Sequence, residues 1–347
     1  MHTTVIIPTR PSEANSLAWT LEGYAKQELA PGNTMNVLVG IDGNGGTFAS
    51  LAEDVGHLVA VHRFERMGAG GIRNELVAHS GDQTDVLIFG NADSRPLPDM
   101  VQRHTDTLSK LPERSMVLGS APWERPSSPP PSVFDAVISD TRAIFFYSEM
   151  APRQWYDYRA TWTLNLSVRK RDFVNVGGFQ KEIRPVYFED LAFGHRLMGI
   201  NRGVFFEPEA RVVHRHPITV DQYLDRAELL GHMAPVFAKH CPEGFAGVYG
   251  VPDLSAIASQ HRVWVAMDTP MHRLIYQRLK QWEKLPRTVL GDGASRAHLL
   301  GTIYDMQIPL ARLAFRLGFL RGIDMLDDKY WQQRQSIGMW RKVVGVT

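Results

Sequence analysis

The chain has little of three things, and each shortage narrows its role. It has a single cysteine, Cys241, in 347 residues, which excludes an internal disulfide framework and any zinc site built from several cysteines. A buried structural thiol is the reading that remains. It has no run of about 18 uninterrupted apolar residues, and its opening MHTTVIIPTRP has no basic leader followed by a long apolar stretch. A soluble, cytoplasmic protein is therefore expected. It also has almost no net charge, with 38 Lys plus Arg against 37 Asp plus Glu. Without a basic field, nucleic acid is not an expected partner, and an anionic substrate has to be held by local groups. No internal repeat occurs. The one biased stretch is APWERPSSPPPS at 121–132, where five of twelve residues are proline and regular structure is excluded.

What the chain does have is an ordinary globular composition, 44% hydrophobic and 22% charged, enough for one large domain or two smaller ones. Short apolar runs recur early: TVIIP at 4–8, NVLVGID at 36–42, HLVAVHRF at 57–64 and DVLIFGNAD at 85–93. Segments suited to helices, 13–29 and 71–80, lie between them. Strands alternating with helices predict an α/β fold around a mostly parallel sheet covered on both faces, and TWTLNLSV at 161–168 and GVFFEPEARVVHRH at 203–216 read as further strands. Beyond Pro217 the pattern turns helical at 221–240, 268–285 and 306–322. There Leu310, Leu313, Ala314 and Leu317 form a stripe that either packs on the rest of the protein or docks on a membrane.

In open α/β sheets ligands bind beyond the carboxyl ends of strands, and Asp42 and Asp93 each stand where a predicted strand stops and a turn begins. Either could be a plain turn residue, since Asp favours turns by itself. Their company gives them weight. In order, the chain carries VIIPTRP (5–11), Asp42 in VGIDGNGG, GAGGIRNELVAHS (68–80), FGNADSRP (89–96), and a long block containing GGF, FED and PEARVVHRH (165–216).

Over roughly residues 3–216 this order resembles the family 2 glycosyltransferases. The resemblance implies a GT-A fold, a Rossmann-like mixed sheet with flanking helices, as one domain over 1–217. Its nucleotide-binding half would be 1–120 and its acceptor half 121–217, with a helical C-terminal region at 218–347. It implies a donor-binding set of Pro8, Thr9, Arg10, Asp42, Arg73, Asn91, Ala92 and Asp93. Asp93 stands at the last Asp of the family's Asp-x-Asp metal motif, and His214 at a further metal or diphosphate contact. Glu189 and Asp190 match the pair beside the acceptor, Asp190 as general base. The implied cofactors are Mn²⁺ or Mg²⁺ and a nucleotide-sugar donor, UDP-sugar by default with GDP and dTDP open. The implied acceptor is a glycan, lipid-linked or small-molecule hydroxyl. Peripheral contact at the inner face of a membrane and a homodimer are left open.

The chemistry is coherent in its own terms. A divalent cation bridging a diphosphate stabilises the charge that develops as the glycosyl–phosphate bond breaks, and hard carboxylate oxygens suit Mg²⁺ or Mn²⁺. A carboxylate opposite the leaving group can deprotonate the attacking hydroxyl, and one such step inverts the anomeric centre. Two departures from the family pattern stand out: Ile41 precedes Asp42 where a second Asp is common, and Asn91 replaces the first Asp of the metal motif. Two alternatives stay open, the first a nucleotidyltransferase, whose related fold also binds nucleotide and metal through rim carboxylates, and the second a degenerate sugar-nucleotide-binding protein, for which these departures are the evidence. Against the first, PTRPSEAN after the opening strand makes a poor phosphate loop.

Smaller readings complete the list. His214 and His216, as alternate positions along a strand, are expected on opposite sides. GAGG is expected to let the Arg73 helix approach the nucleotide. Trp155, Tyr156, Tyr158 and Trp162 form either a sugar platform or core, and Arg95 binds either phosphate or a surface carboxylate.

Overall fold

The structure, a computed structural model, describes residues 1–44, 58–124, 131–184, 187–199, 203–251, 253–267, 270–326 and 337–346. The readings on residues 45–46 and 57, on 125–130 of the proline-rich stretch, on 200–202 and on 268–269 lie outside those residues.

In chain order the elements are β1 (His2–Thr9), α1 (Ala14–Tyr24), β2 (Thr34–Asp42), β3 (Val59–Phe64), α2 (Gly68–Ala78), β4 (Val86–Gly90), β5 (Ser94–Pro96), α3 (Met100–Lys110) and β6 (Met116–Gly119). There follow α4 (Val133–Asp140), β7 (Trp155–Tyr156), β8 (Asn165–Arg169), α5 (Lys170–Asn175), α6 (Glu189–Met198), β9 (Val204–Glu207) and β10 (Val212–His214). The last six are helices: α7 (Val220–His240), α8 (Pro242–Tyr249), α9 (Leu254–Ala266), α10 (Pro270–Trp282), α11 (Gly293–Asp324) and α12 (Met339–Val344). The chain divides into two compact units, one of 1–124 with 150–216 and the other of 125–149 with 217–347.

The first unit is an α/β layer structure on an eight-stranded sheet, ordered β3-β2-β1-β4-β8-β6-β9-β7. Strands β3, β2, β1 and β4 are mutually parallel, β8 runs antiparallel to both β4 and β6, β9 is parallel to β6, and β7 closes the edge antiparallel to β9. The sheet is therefore mixed, with its parallel half contributed by the first four strands. Val5, Ile6 and Ile7, and Val86 through Phe89, are almost wholly buried. These strands read as unbroken apolar runs, without alternation, because a central strand with both faces covered has no polar side to present.

Strand β1 lies between β2 and β4 in the sheet, so the chain reverses its winding direction there. At such a switch point the two flanking connections leave in opposite directions and open a crevice beyond the strand ends. Thr9 ends β1 and Asn91 follows β4 at that crevice. A second, two-stranded sheet pairs β5 with β10, Ser94 opposite His214. The GVFFEPEARVVHRH segment is thus two short strands in two different sheets rather than one.

The second unit is helical. Helices α7 and α11 approach closely: a Cβ on Gly231 would meet the Phe315 carbonyl, and Cβ atoms on Gly318 and Gly322 would meet the carbonyls of Glu228 and His232. The stripe of Leu310, Leu313, Ala314 and Leu317 is buried, from 0% to 6% exposed. It is core of this unit and not a membrane face, because the protein itself covers all four side chains. A smaller cluster of Val133, Ala136, Val137, Leu290, Leu300 and Ile303 ties α4 to α11 within the same unit. Among the described residues no helix is long and apolar enough to cross a membrane.

Candidate functional site

The site is built from turns at the carboxyl end of the parallel strands. The β5–β10 pairing carries His214 to Asp93, and the Asp93 carbonyl accepts from the Arg215 N–H at 2.9 Å. His214 Nε2 then lies 3.5 Å from one Asp93 carboxylate oxygen, and His216 Nδ1 lies 2.9 Å from the other. The two imidazoles stack with centroids 5.5 Å apart and planes 13° from parallel. This corrects the expectation that they face opposite sides. Side chains alternate with a period of two, so residues i and i+2 share a face.

The donor atoms of Asp93, His214 and His216 lie within 4.8 Å of one another, near enough to share one cation. Burial alone would raise the Asp93 pKa, but His214 and then His216 outweigh it and hold the carboxyl below the usual range, ionised at neutral pH. His214 is 6% exposed while His216 is 47% exposed, so the cluster has one buried wall and one open to solvent. The buried Nδ1 of His214 has no hydrogen-bond partner, and the ring is held by packing on Trp123 at 4.6 Å. A ligating imidazole is usually oriented by a hydrogen bond from its other nitrogen, so here packing does that work. One carboxylate and two imidazoles form a mixed O/N set that fits a divalent ion and leans toward Mn²⁺ over Mg²⁺.

A second cluster lies at the start of α6. Arg73 on α2 is 3% exposed, and its guanidinium donates to Glu189 Oε1 at 3.3 Å and to Asn91 Oδ1 at 3.2 Å. It also stands 5.7 Å over the Phe179 ring. Arg73 therefore bridges two other predicted site residues. The next residue, Asn74, donates to the Phe179 carbonyl at 2.8 Å and accepts its N–H at 2.9 Å, locking the GGF turn onto α2. Gly70 makes the approach possible, since a Cβ there would press on Glu189 and Phe179. Gly70 of GAGG thus serves a helix–site contact, while Gly68 takes a positive φ of 80° at the entry to α2.

Glu189 is buried, and its Oε2 has no hydrogen-bond partner. Burial raises its pKa against the opposing pull of Arg73. Asp190 is half-buried, and its pKa is pushed up to about 7 by burial and then by the neighbouring Glu189 charge. Both residues open α6, entered through Tyr187 and Phe188, which hold φ of 71° and 67°. Two successive non-glycine residues in the left-handed region cost about 1–3 kcal/mol each, and such strain persists where surrounding contacts impose it, often at functional segments. No sequence signal marks it, because aromatic residues are poor choices for that conformation.

The remaining predicted residues have plain positions. Asp42 accepts the Met67 N–H at 2.8 Å and the Gly68 N–H at 3.3–3.4 Å, so it anchors the entry to α2. Thr9 is buried, and its hydroxyl lies 3.4 Å from a Glu13 carboxylate oxygen. Arg10 pairs with Glu13 at 2.6 Å, which raises its pKa first, with smaller contributions from Asp93 and Tyr187 at the same rim. Pro8 is the penultimate residue of β1, and the Ala92 carbonyl accepts from the Thr20 hydroxyl at 2.9 Å. Arg95 pairs with Glu22 at 3.3 Å and lies beside Trp19, which answers its open reading in favour of a carboxylate. Tyr158 and Trp162 are buried, and Trp155 packs on Phe205 at 5.3 Å, so these aromatics are chiefly packing.

No protein-family profile and no curated protein matches the chain in sequence. Among solved structures, the mannosyltransferase PcManGT from Pyrobaculum calidifontis, in complex with GDP-Man and Mn²⁺, is similar with a TM-score of 0.53 and 14% identity. The match covers 94% of this chain and 87% of that one. Residues 1–349 of S. aureus TarS match with a TM-score of 0.48 and 14% identity, over 94% of this chain and 91% of that one. At such identities the likeness is one of fold: the mixed sheet with flanking and C-terminal helices is the GT-A architecture.

Proposed function

We propose that the protein is a metal-dependent glycosyltransferase that moves a sugar from a nucleoside-diphosphate donor to an acceptor hydroxyl with inversion. The observation that carries this reading is the Asp93–His214–His216 cluster at the switch-point crevice, on the same unit as a carboxyl raised to about 7 at Asp190. Its setting agrees with the fold shared with PcManGT, which binds GDP-Man and Mn²⁺.

Asp93, His214 and His216 would hold the cation, which when bound neutralises the diphosphate leaving group. Thr9, Arg10, Asn91 and Ala92 border the crevice where the donor would lie. Asp190 accepts the proton of the acceptor hydroxyl as its oxygen bonds to the anomeric carbon. The bond from that carbon to the phosphate oxygen breaks, and its electron pair leaves with the nucleoside diphosphate. A base with a pKa near the working pH is partly ionised and still strong enough to take the proton. Arg73 and Glu189 act as a buried brace that sets the start of α6, and so the position of Asp190.

Titration calorimetry with UDP, GDP, dTDP and CMP, each with and without Mn²⁺, tests the donor side on wild type and on Asp93→Ala. One nucleoside diphosphate should bind in a Mn²⁺-dependent manner, UDP being favoured, and the variant should lose that binding. No binding to any of the four would remove the donor reading and leave a degenerate fold.

A further inference from the structure

The helical unit carries a surface that the proposed chemistry does not use. On α9 and just beyond it, Val263, Trp264 and Met267 are 59%, 47% and 67% exposed, and on α10 Met271 and Leu274 are 54% and 63% exposed. Single exposed apolar side chains are ordinary, but five large ones within twelve residues of sequence are a concentration the fold's own core does not require. Helix α9 buries only Ala258, so the neighbouring core does not account for these side chains. Helix α10 buries Ile275, Tyr276 and Leu279 and turns Met271, Leu274 and Arg278, at i, i+3 and i+7, to solvent.

Charge selects the partner. Helices α9 and α10 contain no acidic residue and carry Arg262, Arg273, Arg278 and Lys280, of which Arg262 lies 3.9 Å from Asp324 and Lys280 pairs with Asp221 and Glu283. Beside Trp264 stands Arg316 of α11, its guanidinium 5.1 Å over the ring, and Arg312 lies one turn earlier, near enough to repel it. Among the described residues neither Arg312 nor Arg316 has a carboxylate in ion-pair contact. Two adjacent cations without an anion, framing an exposed indole, match the chemistry of phosphate headgroups over acyl chains. Tryptophan prefers that boundary because its ring is apolar and its N–H is polar. No described helix can span a bilayer, so the contact would lie on its surface.

We propose that the exposed apolar side chains of α9 and α10, Trp264, Met267, Met271 and Leu274, together with Arg278, Arg312 and Arg316, dock the protein on an anionic lipid bilayer. This surface is separate from the buried Leu310–Leu317 stripe, and its docking requires neither donor nor metal.

The test is co-sedimentation of the full chain with vesicles of phosphatidylcholine alone and of phosphatidylcholine with about one third phosphatidylglycerol. Wild type should partition at least about tenfold more strongly onto the anionic vesicles. Arg312→Glu with Arg316→Glu should remove that preference. A variant combining Trp264→Ser, Met267→Ser and Leu274→Ser should lose at least about tenfold in partitioning, with an unchanged melting temperature because all three side chains are exposed. Equal binding to neutral vesicles, absence of binding, or unchanged binding by the variants would overturn the proposal. So would full displacement by millimolar inorganic phosphate at constant ionic strength, which would identify a free-anion site. Sedimentation velocity covers the remaining occupant: a wild-type dimer made monomeric by the serine variant would assign the face to a second copy of the chain.

Discussion

Two carboxylates in the α/β unit share a residue type and have opposite environments. Asp93 sits between two imidazoles that hold it ionised well below the usual range, while the half-buried Asp190 follows another carboxylate and is raised to about 7. One fold can run cation binding and proton transfer at one pH when its acidic groups are pushed apart in this way. The division teaches that the neighbouring side chains, more than burial, set the two carboxyls apart. Burial raises both, and the histidines reverse its effect at Asp93 alone.

Removing the base should have the largest effect. Asp190→Asn is expected to lower kcat by about 10²- to 10⁴-fold while leaving Mn²⁺-dependent nucleotide binding intact. In wild type the reactive form is ionised, so kcat should fall about tenfold per pH unit below pH 7 and level off above it. Stability should move the other way. A pKa raised in the folded state stabilises the protein at low pH, and that contribution is lost as pH rises through about 7. Asp190→Asn should therefore melt above wild type at pH 8, with the gap narrowing toward pH 4. A kcat that is insensitive to the substitution would sink the assignment of Asp190, and a flat pH profile would argue against its raised pKa.

Next comes the brace. Glu189→Gln removes the carboxylate charge facing the buried Arg73 and leaves it only amide oxygens, its own and that of Asn91, as side-chain acceptors. Breaking a buried pair on one side costs about 3–5 kcal/mol, and the retained amide oxygen places this case at about 3 kcal/mol. Denaturant unfolding should show a lower midpoint at unchanged slope. Loss of activity without loss of stability would instead make Glu189 a direct participant, and would collapse the contrast between a brace and a base.

Much of this was legible beforehand, for identifiable reasons. Strands β1, β2 and β4 announce themselves as apolar runs because both their faces are covered, and Asp93 follows from where β4 stops. The second sheet was not legible: three residues of β10 pair with three of β5 more than a hundred positions away, and nothing local states that partnership. Arg73 shows the same limit. Its motif marks it as important, but only the fold shows that it spans 116 positions to reach Glu189. The aromatic run at 155–162 carries equal sequence evidence for platform and for core, and burial at Tyr158 and Trp162 decides for core there. His216 could have been found, since its i+2 spacing from His214 already places both on one face.

His216 offers the finest cut within the metal cluster, and the smallest expected effect. If the cation rests on Asp93 and the buried His214 alone, with His216 merely hydrogen-bonded to the carboxylate, His216→Ala frees one Asp93 oxygen and changes Mn²⁺ affinity little. If His216 is the third donor, the variant should bind Mn²⁺ about 10- to 100-fold more weakly, the range seen when partners of metal ligands are removed. Selectivity should shift with it. Fewer imidazoles leave a harder site, so the Mn²⁺ preference over Mg²⁺ should shrink in His216→Ala relative to wild type. Calorimetric titration of both ions into both proteins reads this without turnover. Because His216 is nearly half exposed, its removal leaves the core intact, and any change in ion preference reports on the site itself.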